Sequence, residues 1–105
     1  MYERKILLGF IRAHILHHAT RDRDGIYGVG MIKELQRHGY DISPGTLYPI
    51  LHEMKKNNLL KTKKKTIAGK QRIFYTSTEK GKETLDHLLD FIKELSEEVI
   101  SYEHS

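Results

Sequence analysis

Pro44 and Pro49, the only prolines in the chain and both inside one helical pattern, restrict its folding more than any other feature. They lie in the stretch Ser43-Pro44-Gly45-Thr46-Leu47-Tyr48-Pro49-Ile50-Leu51-His52-Glu53-Met54. Leu47, Ile50, Leu51 and Met54 recur at i, i+3, i+4 and i+7, which makes one buried helical stripe. Ser43 suits the N-cap through its hydroxyl, and Pro44 suits the first helical position, where a missing N–H costs nothing. Pro49 removes the bond to the Gly45 carbonyl, a loss of about 3 kcal/mol in a regular helix interior. The helix therefore starts either at Pro49 or at Pro44 with a bend in its second turn. Opposite the stripe stand Thr46, Tyr48, Pro49, His52 and Lys56, a short, polar, aromatic and basic face suited to reading another molecule.

Ser-Pro-Gly-Thr-Leu-Tyr-Pro-Ile-Leu, residues 43–51, resembles the recognition-helix motif of PadR-type winged-helix transcription regulators, and the likeness favours the start at Pro44. It extends to Tyr27-Gly28 through Leu35, similar to the block that opens the first helix of the family's helix-turn-helix. Here the preceding loop is longer, and Gly30 stands where a bulkier helix former is common. Thr78-Glu79-Lys80-Gly81 likewise resembles the block leading into the family's C-terminal helix. The resemblance implies a recognition helix in the DNA major groove. It further implies a homodimeric repressor acting on inverted repeats, sometimes released by a small aromatic or lipophilic effector. Some members hold flat drugs on a tryptophan at the dimer interface; this chain has no tryptophan, so the likeness does not extend to that mode.

With 105 residues, the chain has room for one modest core. It has no cysteine, which excludes disulfides and thiolate metal sites and predicts a reducing, cytoplasmic setting. No apolar run approaches the ~20 residues of a membrane span, so no membrane partner is expected. The net charge of +4 is unevenly distributed. Residues 1–78 carry 15 Lys+Arg against 6 Asp+Glu, whereas 79–105 carry 3 against 8. A basic body suits a polyanion, and an acidic tail helix does not lie along one.

Taken in order, residues 2–18 read as a helix apolar on more than one side through Ile6, Leu7, Leu8, Phe10, Ile11, Ile15 and Leu16. His14, His17 and His18 share a face of it at i, i+3 and i+4, a spacing that can hold a metal. No fourth ligand is evident nearby, so the histidines are read as cations favoured at a helix end, and no metal or cofactor is expected. Residues 20–25 form a polar loop. A second helix, with apolar positions 28/29, 32 and 35, runs to about His38, where Gly39 stops it. Tyr40-Asp41-Ile42 is the turn into the recognition helix, which ends near Asn57-Asn58.

Residues 59–66 and 71–78 read as strands joined by a glycine-bearing tip, Ile67-Ala68-Gly69-Lys70. From Lys55 to Arg72 the chain carries eight Lys+Arg and no acid. Such a run is commonly a solvated linker; following a recognition helix, it reads as a basic wing laid along phosphates. Thr78 caps a last helix to about Tyr102, in which Leu85, Leu88, Ile92, Leu95, Val99 and Tyr102 alternate three and four apart as a heptad seam. A winged helix closes its core by residue 78, so this seam is left to meet a second copy. Leu89, Phe91 and Ile100 widen the stripe.

The reading is a mainly α chain with a small β-hairpin: a winged helix-turn-helix over 1–78 and a dimerisation helix over 79–105. Thr46, Tyr48, Pro49 and His52 are expected to read bases. Ser43, Pro44, Gly45 and Lys56 are expected to position the helix, and Lys63, Lys64, Lys65, Lys70 and Arg72 to contact the backbone of double-stranded DNA. The main rival is a winged helix turned protein-interaction module, which the dense wing opposes. An enzyme would need more than the histidine cluster, since neither cysteine nor a paired-carboxylate pattern is present.

Overall fold

The computed structural model describes residues 2–104; Met1 and Ser105, the outer bounds of the two expected segments, lie outside the described residues. The element order is α1 (Tyr2–Arg21), β1 (Ile26–Tyr27), α2 (Gly28–Arg37), α3 (Pro44–Lys56), β2 (Leu60–Ile67), β3 (Lys70–Ser77) and α4 (Glu79–Glu103). The strands form one antiparallel sheet in the order β1-β3-β2. This is a winged helix-turn-helix with a long C-terminal helix, the fold class that the residue patterns predict.

Local chemistry sets the element ends. Gly39, at φ +92°, donates its N–H to Gln36, and Tyr40 donates to Leu35, so a left-handed glycine closes α2. Asn58 does the same for α3 at φ +63°, with Asn58 N–H on Lys55 and Leu59 N–H on Met54. At the start of α4 the Thr78 hydroxyl accepts from the Gly81 N–H at 3.0 Å, as its N-cap position demands. Helix α1 runs three residues past its expected end at His18, to Arg21. The Thr20 hydroxyl donates to the Leu16 carbonyl, so the buried Ser77 hydroxyl, 2.6 Å away, must donate to Thr20, which ties α1 to β3.

The hairpin is longer than expected at its tip. Ile67 pairs with Lys70, and the two-residue turn is Ala68-Gly69, at φ +52° and +80°. Positive φ at both turn residues matches the twist of the flanking strands. Strand β1 is not foreseen from the sequence, because two residues paired to Tyr75 and Phe74 carry too little alternation to be recognised.

Ile15, Leu16, Met31, Leu35, Leu47, Leu51, Leu60 and Leu85 are fully buried and form the centre of the core. On α2 the inner face is Gly28, Met31 and Leu35, while Val29 is exposed and Ile32 only partly packed. Leu85 corrects the seam expected on α4. It is 2% exposed inside the chain's own core, and Leu88 packs against that core from outside. The core thus closes with the first two turns of α4, not at residue 78.

Candidate nucleic-acid interface

Helix α3 is continuous from Pro44 through Pro49 to Lys56. Ser43 occupies the N-cap with extended backbone, but its hydroxyl makes no capping bond. The N–H it would accept, that of Thr46, is already on the Ser43 carbonyl at 3.1 Å, and the hydroxyl turns to Thr46 Oγ1 at 3.4 Å. The stripe of Leu47, Ile50, Leu51 and Met54 is buried as expected. Ser43, Pro44, Gly45, Tyr48, Pro49, His52 and Lys56 are exposed on the other side, and Thr46 is half-buried.

Two of these side chains are held by elements outside α3. Thr46 Oγ1 accepts from Arg4 Nη2 at 3.2 Å, which brings the first turn of α1 to the start of α3. The Tyr48 phenol lies across Gly28 at the start of α2, where any Cβ would collide with it. The phenol also faces Tyr75, whose hydroxyl is pushed above its ordinary range by burial and then by Tyr48. Tyr48, His52, Tyr27, Val29, Gln71 and Arg72 line one groove of about 280 Å³ between α2, α3 and the wing. Arg4, Val29 and Gln71 were missed by sequence reasoning. Only the fold brings them to the face, and no local pattern marks them.

The strand register sorts the wing cations. Lys63 stands opposite Phe74, Lys65 opposite Arg72 and Lys64 opposite Ile73, so Lys64 projects from the other face of the hairpin. Arg72 lies over the Tyr27 ring, 5.0 Å from its centroid. Lys65 donates to Asp24 at 2.7 Å, so the run with no acid of its own receives one from the loop before β1. Lys63, Lys64 and Lys70 are exposed.

The expected dimerisation residues divide in the same way. Beyond Leu85 and Leu88, Ile92, Leu95 and Val99 are 45%, 55% and 50% exposed, and Tyr102 is exposed as well. Ile6, Leu7 and Phe10 at the start of α1 are further large apolar side chains left on the surface. The histidines regroup. His17 is exposed, while His14 and His18 meet His38 from the end of α2. Burial first, then the neighbouring His38, His18 and His17, hold His14 below its ordinary range. Among the described residues, no helix is long and apolar enough to cross a membrane.

Residues 15–87 match the transcriptional regulator PadR-like family. The chain is 39% identical over 90 residues to the transcriptional regulator Rv3488 of Mycobacterium tuberculosis, covering 86% of this chain and 82% of that protein. It is 34% identical over 70 residues to the transcriptional activator GvpE1 of Halobacterium salinarum, covering 65% of this chain but 35% of that protein. The crystal structure of a PadR-like transcriptional regulator from Bacillus cereus superposes with a TM-score of 0.84 at 28% identity, over 92% of this chain and 94% of that one. The chain belongs to the PadR-like family of transcriptional regulators, and its work is DNA-binding control of transcription rather than catalysis.

Proposed function

We propose that the protein binds a palindromic operator as a homodimer and represses transcription from it. The carrying observation is the division of surface: α3 and the wing present polar and basic groups, while Ile92, Leu95 and Val99 of α4 expose apolar ones. A two-fold dimer through α4 and the start of α1 presents two copies of α3, one per half-site. Its operator is an imperfect palindrome with half-sites about 10 base pairs apart or a multiple of that. Thr46, Pro49 and His52 read base edges with Tyr48 behind them. Ser43, Gly45, Lys56 and the free wing lysines hold the phosphates. Bound at its operator, the dimer represses by excluding other proteins from the site.

We further infer that a small lipophilic effector binds between the helices. Leu16, Met54, Leu59 and Leu88 line a cleft of about 480 Å³ among α1, α3 and α4, with Arg12 and Glu53 paired at 3.2 Å on its rim. Its occupant would touch both the recognition helix and the dimerisation helix. Selection of bound sites from random duplex, with sedimentation of the free protein, tests the central reading. The expected result is a dimer and a two-fold site; a monomer, or a site without symmetry, overturns it.

A further inference from the structure

Where α1 crosses the end of α2, three imidazoles gather with a carboxylate beside two of them, away from the face proposed for DNA. His14 and His18 come from successive turns of α1, and His38 is the C-cap of α2. Their ring nitrogens lie within 4.8 Å of one another. Glu34, one turn before His38, places Oε1 3.0 Å from His38 Nε2 and 3.6 Å from His18 Nε2. Ligand atoms on a tetrahedral ion with bonds of about 2.0–2.1 Å stand ~3.3 Å apart, a spacing that the Glu34 distances to His38 and His18 bracket. The imidazole nitrogens, within 4.8 Å of one another, would draw closer on binding an ion. Arg37 Nη2 donates to both Glu34 oxygens at 2.7 and 2.9 Å, which orients the carboxylate and leaves lone pairs for a further partner. Asp22 Oδ1 lies 3.5 Å from His18 Nδ1, the kind of outer partner that fixes a ligating imidazole with its other nitrogen free.

Simple packing explains this arrangement less well. Stacked imidazoles, with His14 and His38 centroids 5.3 Å apart, gain little from one another and repel when charged. A shared cation removes that repulsion and uses each lone pair. We propose that His14, His18 and His38, with Glu34 as fourth ligand, bind a divalent transition-metal ion. Imidazole nitrogens with one carboxylate suit zinc, nickel or cobalt rather than magnesium or calcium. The ion joins α1, which carries Arg4 and the apolar Ile6, Leu7 and Phe10, to α2 just before the turn into α3. Its occupancy therefore sets how rigidly the recognition helix is held against the face proposed for dimerisation.

The test titrates zinc into the full chain, freed of metal with a chelator, in competition with a chromophoric chelator, and follows thermal unfolding with and without the ion. One zinc per chain and a rise in Tm of several degrees are expected. His38→Ala, at an exposed cap whose loss leaves the core intact, should weaken zinc binding at least about tenfold. His17→Ala, on the same helix as His14 and His18 but outside the cluster, should leave it unchanged. Unchanged metal-free Tm and circular dichroism establish that the His38 variant is folded. Absence of stoichiometric zinc binding overturns the proposal, and so does equal weakening by His17→Ala and His38→Ala, which would mark scavenging by surface histidines.

Discussion

The Lys65 ammonium donates to Asp24 Oδ1 across 2.7 Å and joins the wing to the loop before β1. The same ammonium lies 5.4 Å from the centroid of Phe74, so it is fixed from two sides. The hydrogen bond, and then the charge of Lys65, hold the Asp24 carboxyl below its ordinary range. One wing cation therefore has an internal anion that DNA phosphate must displace or leave in place.

Asp24 should accordingly titrate below the ordinary carboxylate range, and Lys65→Ala should let it rise back. A carboxylate with a depressed folded-state pKa contributes stability above the unfolded value and loses it as pH falls through the folded one. The tie is thus intact at neutral pH and opens as pH falls below the ordinary carboxylate range, which carbon-detected NMR titration of the carboxyl follows. Asp24→Asn frees Lys65, so the slope of log K against log salt for duplex DNA should steepen by up to about one per subunit. An unchanged slope would mean that Lys65 does not reach phosphate.

Base readout is proposed for the outer face of α3. Replacing Thr46 and His52 with alanine should cost about 1–3 kcal/mol for each base-edge interaction removed and relax preference at the corresponding position. Selection from random duplex with the double variant measures both. A variant that keeps the wild-type preference would move readout elsewhere, with Gln71 and Arg72 in the adjoining groove the next to be tested.

For α4, folding and association should separate along the helix. Leu95→Lys with Val99→Lys puts charge on the exposed part and should give folded monomers by sedimentation, because facing ammonium groups would be desolvated without partners. Leu85→Ala empties a buried position and should lower stability by about 2–5 kcal/mol. If the double-lysine variant remains a dimer, the subunits associate through another surface.

What could be read ahead of the structure was what nearby residues determine. Gly39, Asn58 and Thr78 mark helix ends through their own backbone and hydroxyl chemistry, and the period of Leu47, Ile50, Leu51 and Met54 identifies the inner face of α3. Ser43 shows the limit even there, since the bond expected of its hydroxyl is made by its carbonyl. The unseen features join distant residues. Arg4 meets Thr46 from 42 positions away and Lys65 meets Asp24 from 41, and His38 replaces His17 in the histidine cluster only once α2 packs on α1. On α2, apolar residues at adjacent positions leave the facing ambiguous, and packing chose Gly28 over Val29 and Met31 over Ile32.

Gly28 offers a test in which two effects of known size oppose each other. It opens α2 with a backbone that any residue tolerates, since its φ is not among the positive ones. Alanine in a helix is favoured over glycine by about 0.8–1.0 kcal/mol in the interior and by less at the first position. A methyl group here, however, would enter the space of the Tyr48 phenol. The atoms met are the outer end of an exposed side chain that can swing towards solvent, so the cost of moving the ring offsets the helix gain without far exceeding it. Gly28→Ala should therefore change the stability of the wild type by less than about 1 kcal/mol but weaken DNA binding, because Tyr48 leaves the groove it shares with His52. In a Tyr48→Ala background the collision is gone, and the same substitution should be neutral or stabilise by up to about 1 kcal/mol. Denaturant unfolding of the four proteins in this cycle measures the coupling directly. If Gly28→Ala costs the same with and without Tyr48, the phenol does not rest on Gly28 in solution.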